Sequence, residues 1–359
     1  MLQICPRYYP SVGGIETNVQ AISEGLVARG FDIEIMTIDP SSKLPAVEEI
    51  NGVRVRRFRS MANHVYSPST QLVHALRGMK ADIMHVHGLH HLTSPLAIAS
   101  KTSVSSKCVF TLSTGGSSSR VRELLRVPFI VLMRKVVAKV DKIICLSQFE
   151  LEHYQRLLDI PRSKLVVIPN GVNLNQVAKH ERNTSGSVLV TAGRLVKHKG
   201  FQKVIRGAKE LHDLWPEIDF RVCIVGRGPY ETQLMKETKE LEIEEYVDFL
   251  GWRKPSDFMQ LLRASKAFVL LSEYESQAIV VCEALSAGIP VVVARNSALN
   301  EYVQRGYAVG VDDPDDPHEI ALKIKSVLDN PGLCKIDDYK PLTWQEVVQT
   351  VAGLYSSLT

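Results

Sequence analysis

The sequence contains few cysteines, and they lack the spacing of metal or redox sites. Its 359 residues include six cysteines with no C-x-x-C pair among them, whereas structural zinc sites and thioredoxin-like redox sites are usually recognised by such pairs. Most of these cysteines stand in apolar segments typical of strands. The pattern predicts reduced thiols buried in the core of a cytoplasmic protein.

Long apolar stretches are also absent. The most apolar run outside the candidate strands covers residues 127–133, whereas a membrane-spanning helix needs about 20 apolar residues. Residues 1–6 lead directly into a strand-like segment, so we expect no signal peptide. These features predict a cytoplasmic protein without a spanning segment.

The first strand and helix frame a glycine pair that differs from the dinucleotide-binding fingerprint. Residues 2–6 form a short apolar strand, Gly13 and Gly14 follow, and apolar residues then recur at helical spacing from 15 to 28. The pattern is not G-x-G-x-x-G, which disfavours a nicotinamide-dependent oxidoreductase. Glycines here let backbone N–H groups approach a phosphate or sugar. A plain turn before a helix is the alternative.

Histidines cluster at the end of a predicted buried strand, 81–87. They are His85, His87, His90 and His91. No carboxylate or cysteine falls at ligand spacing, so we expect no metal site there, and the acidic run 312–316 is better explained as a solvated turn. Because His85 and His87 alternate along the strand, we predict that both face a cleft and that His87 contacts substrate.

Charge is divided unevenly along the chain. Residues 1–170 carry 21 of the 43 Lys+Arg but only 13 of the 39 Asp+Glu, a net charge of +8, and the remainder is therefore at −4. A basic first half suggests an anionic partner. Within it, residues 120–142 form a basic, partly apolar stretch that suits an anionic membrane surface. A helix with a basic outer face is the alternative, and nothing indicates nucleic-acid binding.

The second half repeats the pattern of strand, loop and helix. A strand ending near residue 192 leads into a loop that carries Arg194 and Lys199 before a helix begins near 201. An arginine and a lysine at the end of a strand suit a diphosphate, since arginine binds two oxygens and lysine adds a point charge. Gly226, after the next strand, allows close backbone contact with a ligand. Ordinary surface residues in a βα loop are the alternative.

Two glutamates flank a short apolar segment near the centre of this half. We predict a strand at 266–271, a loop at 272–277 that carries Glu275, and a helix to about residue 287 that carries Glu283. Open α/β sheets bind ligands at the carboxyl ends of their strands. Glu283 stands among apolar and small residues, where a charge usually has a specific partner.

Six segments in order resemble one enzyme family. They read YYPSVGGIE, VVIPNGVN, GRLVKHKG, VGRGP, VDFLGW and SEYESQAIVVCEAL. Together they resemble the retaining glycosyltransferases of family 4, and the likeness covers essentially the whole chain. It implies an α/β protein of the GT-B fold, with two Rossmann-like domains facing across a cleft. The expected acceptor domain is 1–172 plus a crossover helix at 343–359, and the expected nucleotide-sugar domain is 173–342.

The resemblance also implies roles for single residues. Arg194 and Lys199 match the diphosphate-binding pair, Glu275 the glutamate that faces the donor sugar, and Glu283 the glutamate that holds the ribose. The nucleotide-sugar is a co-substrate, and neither a cofactor nor a metal is implied. Further positions matching the substrate site are Gly14 near the phosphates, with Gly13 beside it, Gly226 in the nucleotide site, and Trp252 and Arg253 near the base.

The sequence departs from the family pattern in three places. Ser276, Gln277 and Ala278 replace the usual Gly-aromatic-Gly beside the donor sugar. Ser113 stands where a histidine usually touches that sugar. Residues 296–298 replace a Gly-Gly pair.

From the resemblance and the basic first half, we expect transfer of a sugar from a UDP-sugar, or less favourably from GDP-mannose, to a lipid-linked or glycan acceptor at the cytoplasmic membrane face. A catalytically weakened nucleotide-sugar-binding module is the second hypothesis.

Overall fold

The structure is a computed structural model that describes residues 1–60, 69–104, 107–114, 126–173 and 187–359. These residues divide into two compact units. The described residues up to Gly171 form one unit together with Leu342–Thr359, and Val172–Pro341 form the other.

The first unit is built on an eight-stranded sheet. The strands lie in the order β3-β4-β2-β1-β5-β6-β7-β8, with β3 antiparallel to β4 and the other neighbouring strands parallel. They are β1 (Leu2–Ile4), β2 (Glu34–Ile38), β3 (Val47–Ile50), β4 (Val53–Phe58), β5 (Ile83–His87), β6 (Lys107–Thr111), β7 (Lys142–Cys145) and β8 (Leu165–Val167). The helices are α1 (Gly14–Val27), α2 (Thr70–Arg77), α3 (Thr93–Ala99), α4 (Lys101–Val104), α5 (Arg126–Val137) and α6 (Gln148–Leu158).

The second unit is a doubly wound parallel sheet. Its strands lie in the order β11-β10-β9-β12-β13-β14. They are β9 (Ser187–Ala192), β10 (Phe220–Val225), β11 (Val247–Gly251), β12 (Ala267–Leu270), β13 (Val291–Ala294) and β14 (Val309–Val311). The helices are α7 (Phe201–Leu214), α8 (Glu231–Glu240), α9 (Pro255–Ala264), α10 (Ile279–Ser286), α11 (Leu299–Gln304) and α12 (Pro317–Asp329). Because the strand order reverses between β9 and β12, a crevice for ligands is expected where these two strands end.

Apolar runs account for this second sheet. Every residue of β12 and β13 is buried, as continuous apolar strands require when helices cover both faces of a parallel sheet. Each strand must then be followed by a crossover helix. Each crossover returns the chain to the same end of the sheet, so the loops that lead from a strand into the following helix all lie at the carboxyl ends of the strands.

The final helix, α13 (Trp344–Ser356), belongs to the first unit. It begins at a capping box, in which Thr343 and Glu346 satisfy each other's backbone N–H groups. It packs on α1, where Gly25 leaves room for Val348: a Cβ at Gly25 would lie 2.6 Å from Cγ2 of that valine. The predicted return of the C-terminal helix to the first domain is confirmed.

All six cysteines are buried and unpaired, as expected for structural thiols. Among the helices that the structure describes, none combines the length and the apolar character needed to span a bilayer.

Candidate functional site

The predicted cationic loop follows β9 in the second unit. It contains a short 3-10 turn, Lys197–Lys199, and ends at Gly200, from which α7 begins. Arg194 is exposed, and within the described part of the chain its guanidinium has no hydrogen-bond or ion-pair partner. A cation in this state keeps its full donor capacity for an anionic ligand.

Lys199 and Glu275 meet at the point where the strand order reverses. Nζ of Lys199 lies 2.6 Å from Oε1 of Glu275, which also accepts a hydrogen bond of 2.8 Å from the hydroxyl of Ser272. Only 8% of Glu275 is exposed. The pair forms because β9 and β12 are neighbours in the sheet, although 76 residues separate its members.

Backbone contacts also hold together the loop that carries Lys199 and the loop that carries Glu275. The N–H of Glu273 donates to the carbonyl of His198 at 2.8 Å. Gly200 has φ +75°, and a Cβ there would overlap the carbonyl oxygen of Leu271. A glycine is therefore required on two grounds, the left-handed backbone and the close approach of the neighbouring loop.

Glu283 lies in α10 with its carboxylate half-buried and, among the described residues, without a hydrogen-bond or ion-pair partner. Burial raises its pKa to about 7, because desolvation disfavours the charged form. An unpaired carboxylate in an apolar helix is costly. Such a group is suited to accept hydrogen bonds from a ligand.

Three neighbouring strands end on glycines with positive φ. Gly193 follows β9, Gly226 follows β10, and Gly251 is the last residue of β11. A Cβ at Gly226 would overlap the carbonyl oxygen of Gly193, and the Gly226 N–H donates to Gly251 at 2.9 Å. Gly226 thus lies at the predicted edge, and the packing of adjacent strand ends already explains its residue type.

The remaining predicted residues of the second unit differ in exposure. Trp252, which is 50% exposed, and Arg253, which is also exposed, directly follow β11. Ser276 is half-buried. The side chain of Gln277 turns inward, with Nε2 3.7 Å from Sγ of Cys282.

Ala278 fixes the start of α10. It is the N-cap residue of that helix, with φ +67° and no side-chain cap, so the helix begins at Ile279, one residue after the position that follows the predicted loop 272–277. An uncapped helix N-terminus leaves N–H groups that suit a negative charge.

In the first unit, Gly13 and Gly14 lie at the start of α1. A Cβ at Gly13 would lie 2.5 Å from Oε2 of Glu16, whereas a Cβ at Gly14 would meet nothing within 4 Å. Glu16 is buried and pairs with Arg7 at 3.0 Å. Sequence reasoning did not identify the role of Glu16, whose buried carboxylate lies close to the backbone of Gly13.

The predicted exposure of His87 on a cleft is wrong in this structure. Both His85 and His87 are fully buried. Nε2 of His87 is 2.7 Å from the Gln3 amide oxygen, and Nδ1 of His85 is 2.5 Å from the Tyr355 hydroxyl. Burial lowers the pKa of His87 to about 3. These histidines are neutral members of a polar network that ties β5 to α13.

Ser113 follows β6 with φ +43°, and its buried hydroxyl has no hydrogen-bond partner within the part of the chain that the structure describes. The next residue, Thr114, donates from N–H and hydroxyl to Glu150, at 3.0 and 2.6 Å. Glu150 is fully buried and also accepts from the Leu146 N–H. Burial raises the pKa of this carboxyl. The role of Glu150 was missed because its partners lie on separate strands. Residues 115–125, which include the beginning of the basic stretch predicted at 120–142, lie outside the described residues.

Two residues of the segment 296–298, which departs from the family pattern, contact the Glu275 loop, and the sequence did not predict these contacts. Ser297 and Asn296 follow β13, and both are hydrogen-bonded to the segment that follows β12. The described part of the chain contains no cluster of three His, Cys, Asp or Glu side chains placed to hold a metal ion.

Two family profiles match the chain in succession. Residues 12–176 match the profile described as Glycosyltransferase Family 4, and residues 173–339 match the one described as Glycosyl transferases group 1. Each profile corresponds to one of the two compact units, and together they cover five of the six segments that first suggested the family and the second half of the first segment.

Individual relatives agree with this assignment. GDP-mannose:cellobiosyl-diphosphopolyprenol alpha-mannosyltransferase of Komagataeibacter xylinus is 21% identical over 100% of this chain and 93% of its own. Among solved structures, sucrose-phosphate synthase from Thermosynechococcus elongatus superposes with a TM-score of 0.82 at 17% identity, covering 99% and 98% of the two chains. Anabaena HepE in complex with UDP-glucose gives 0.78 at 17% identity, covering 99% of each chain.

The likeness to these structures shows the fold, and the profiles show the family. The doubly wound sheet, with its cations and glutamates at the carboxyl ends of the strands, agrees with both. The chain belongs to glycosyltransferase family 4 and has the GT-B fold.

Proposed function

We propose that this glycosyltransferase is a retaining, metal-independent hexosyltransferase. It takes its sugar from a nucleotide-diphosphate-sugar, a UDP-sugar in preference to GDP-mannose. The acceptor is lipid-linked or a glycan, at the cytoplasmic face of a membrane. The observation that carries the proposal is the meeting of Lys199 and Glu275 at the switch point of the second sheet. Arg194, whose guanidinium has no hydrogen-bond or ion-pair partner among the described residues, lies on the same loop as Lys199.

Charge development explains why this arrangement suits sugar transfer. As the bond from the sugar to the diphosphate breaks, the ring becomes positive and the leaving diphosphate becomes more negative. Arg194, Lys199 and the uncapped start of α10 stabilise the diphosphate, and Glu275 faces the ring. Charges already fixed in place require no reorganisation during the reaction, which is why preorganised donors contribute strongly to catalysis.

Metal independence rests on the two cations. A nucleoside diphosphate leaving group needs positive charge close to its oxygens, and a guanidinium together with an ammonium provide it. The direct test is transfer in the presence of EDTA, which the proposal predicts to leave the rate unchanged.

The choice of nucleotide rests on the comparisons. HepE was solved with UDP-glucose, and the Komagataeibacter relative is named for GDP-mannose. Glu283 suits the ribose of either donor, because its carboxylate, which has no partner among the described residues, can accept hydrogen bonds from two hydroxyl groups. Ser276, Gln277 and Ala278 replace the usual residues beside the sugar, so the sugar itself is best identified by a donor panel.

The acceptor class follows from the surface of the first unit. On α5, Val131 is 52% exposed and Leu132 is 44% exposed, beside the exposed Lys135. Leu92, at the N-cap of α3, and Leu96, within that helix, are also exposed, and α3 packs against α5. We call Leu92, Leu96, Val131 and Leu132 the apolar patch. Apolar side chains next to basic ones favour an anionic lipid surface. The name of the Komagataeibacter relative specifies a diphosphopolyprenol acceptor.

One experiment tests the proposal as a whole. The protein is incubated with radiolabelled UDP-glucose, UDP-galactose, UDP-N-acetylglucosamine or GDP-mannose together with a lipid extract, and labelled lipid is measured with and without EDTA. NMR of the product then gives the anomeric configuration, which retention predicts to equal that of the donor. Absence of transfer from every donor by the folded protein would contradict the proposal.

A second candidate is a nucleotide-sugar-binding module without turnover. Ser113 favours it, because a serine cannot replace the contacts and charge of the histidine usually found there. Calorimetry distinguishes the two functions. Nucleotide binding without turnover, unchanged by Glu275→Ala, would favour the binding module.

A further inference from the structure

The loop after β13 binds the backbone of the loop that carries Glu275. The Ser297 hydroxyl accepts a hydrogen bond of 3.0 Å from the Glu275 N–H, and the Ala298 N–H donates to the Glu275 carbonyl at 3.2 Å. Asn296 Nδ2 donates to the Ser272 carbonyl at 3.1 Å. Both backbone polar groups of Glu275 therefore end on this neighbouring loop.

The two side chains act as one unit. The Ser297 hydroxyl donates to Oδ1 of Asn296 at 2.9 Å while it accepts from Glu275. One hydroxyl thus joins the Asn296 amide to the Glu275 backbone. We call Asn296 and Ser297 the clamp. Ser272, which the clamp holds through its carbonyl, donates its own hydroxyl to Oε1 of Glu275. The clamp therefore reaches the carboxylate by two routes, through the backbone of Glu275 and through Ser272.

Ser297 has a backbone conformation that is unfavourable for a residue with a side chain. Ser297 has φ +44°, a left-handed conformation that glycine adopts freely and serine adopts only with strain. Glycine would relieve the strain but would leave the Glu275 N–H without its acceptor. In a loop where Ser272 and Glu275 are buried, an unmade hydrogen bond is unfavourable.

We propose that Ser297 and Asn296 are positioning residues that set the location of the Glu275 carboxylate during sugar transfer. The inference rests on the proposed function. Each acts through Glu275, because their side chains bond to each other and to residues 272 and 275. The clamp reaches the nucleotide-binding residues indirectly, through the bond from Glu275 to Lys199. We therefore expect it to affect turnover more than nucleotide affinity.

The main variant is Ser297→Gly, which removes the hydroxyl and introduces a glycine that adopts the left-handed conformation without strain. We expect kcat to fall by about 10-fold to 10²-fold, as for a catalytic group displaced by a fraction of an ångström. The Kd for UDP should stay within about twofold, well below the 1.4 kcal/mol that a tenfold change represents. Asn296→Ala, which retains the hydrogen bond between Glu275 and Ser297, should lower kcat by a smaller factor. It keeps the test usable if the glycine variant folds poorly.

Ser326→Ala, which removes another partly buried hydroxyl of this unit, is the matched control and should leave kcat unchanged.

Two readouts separate positioning from general loosening of the fold. In a Glu275→Ala background, Ser297→Gly should produce no further loss of rate, because its effect passes through the missing carboxylate. Hydrogen exchange at the Glu275 amide should accelerate in Ser297→Gly, while the amides of α7 remain protected.

The outcomes are distinguishable. An equal loss of rate in the Glu275→Ala background would overturn the inference, as would a wild-type kcat for Ser297→Gly. If the wild-type protein transfers no sugar, the proposed function fails, whatever the exchange experiment shows.

Discussion

Lys199 and Glu275 form an ion pair of 2.6 Å, which joins the residue predicted to bind the diphosphate to the residue predicted to face the sugar. The Lys199 side chain is 25% exposed and the Glu275 side chain 10%, so a ligand can reach the lysine from one side. An ammonium has three donors. It can keep its bond to Glu275 while it donates a second hydrogen bond to a diphosphate oxygen, and it then couples the position of the leaving group to that of the carboxylate.

Removal of this ammonium should reduce turnover strongly. We expect Lys199→Met to lower kcat by about 10²–10³, the loss typical of one preorganised charge-stabilising donor. The matched control is Lys209→Met on α7, where the lysine forms only an exposed i,i+4 pair with Asp213. Steady-state kinetics with the best donor compare the two variants. Equal rates for both would show that Lys199 does not act on the leaving group.

The glycine at the start of α7 should be essential to the fold. Gly200→Ala places a Cβ on the Leu271 carbonyl and forces a left-handed alanine. We expect a loss of about 3 kcal/mol or more in the free energy of unfolding, since strain and overlap add. Gly353→Ala is the control, because a Cβ there meets nothing within 4 Å and helix propensity favours alanine by about 0.5–1 kcal/mol. Urea unfolding measures both, and a neutral Gly200→Ala would contradict the packing described here.

Substitution of Gly14 can distinguish a role in ligand binding from a role in stabilising the fold. A Cβ at Gly14 meets no protein atom within 4 Å, so Gly14→Ala should leave the melting temperature unchanged or raise it. If the family role applies, the added methyl group enters the space of the donor phosphates and raises the KM for the donor about 10-fold or more, equivalent to 1.4 kcal/mol. A variant with unchanged stability and unchanged KM would exclude Gly14 from the donor site.

Glu283 should make the unliganded protein less stable as the pH rises. Burial raises its pKa to about 7 from an ordinary value near 4.5, so between these values the folded protein binds a proton that the unfolded chain releases. Stability contributed by this proton is complete below pH 4.5 and is lost as the pH rises through 7. The full loss is between about 3 and 4 kcal/mol, because the pKa rises from 4.5 to about 7 and each unit corresponds to 1.36 kcal/mol. Glu283→Gln removes the charge and should raise the melting temperature at pH 8 much more than at pH 5.

The same substitution should weaken nucleotide binding, because the amide replaces an acceptor oxygen with a donor. Glu217→Gln, an exposed glutamate of the same unit, is the control for both effects. A similar gain for the two variants at pH 8 would contradict the burial of an unpaired carboxylate at Glu283.

The apolar patch should matter for membrane binding alone. Val131→Ser combined with Leu132→Ser should weaken binding to vesicles containing phosphatidylglycerol by at least about 10-fold, since burial of each side chain contributes about 1.5–3 kcal/mol. Transfer to a water-soluble acceptor analogue should be unaffected. Leu322→Ser, at a leucine of similar exposure on α12, is the control. Equal vesicle binding by all three proteins would place the membrane contact elsewhere.

Local sequence was sufficient for the features that depend on neighbouring residues. The glycines before α1 and α7, the cations after β9 and the helix start after Glu275 all follow from residue type and spacing. The positions of these loops at one edge of the sheet follow from the parallel crossovers. Family 4 was recognisable because six short segments occur in order.

Contacts between distant segments were not predictable in this way. The clamp joins residues 22 and 24 positions apart across neighbouring strands, and only the strand order brings them together. His87 looked like a ligand-facing residue at a strand end, but Gln3, which is 84 residues away, and the network that includes Tyr355 surround it inside the first unit. Period-two alternation describes which side of a strand a residue occupies, without revealing what covers that side.

The central claim is that Arg194, Lys199 and Glu283 form a nucleotide-diphosphate site in the second unit. The most direct measurement is calorimetric titration of UDP, GDP, UDP-glucose and GDP-mannose into the wild-type protein, Arg194→Ala and Lys209→Met. We predict that UDP and a UDP-sugar bind the wild type and Lys209→Met equally, without added metal, and bind Arg194→Ala at least about 10-fold more weakly. Equal binding to all three proteins, or no binding of any nucleotide to the folded wild type, would contradict the account.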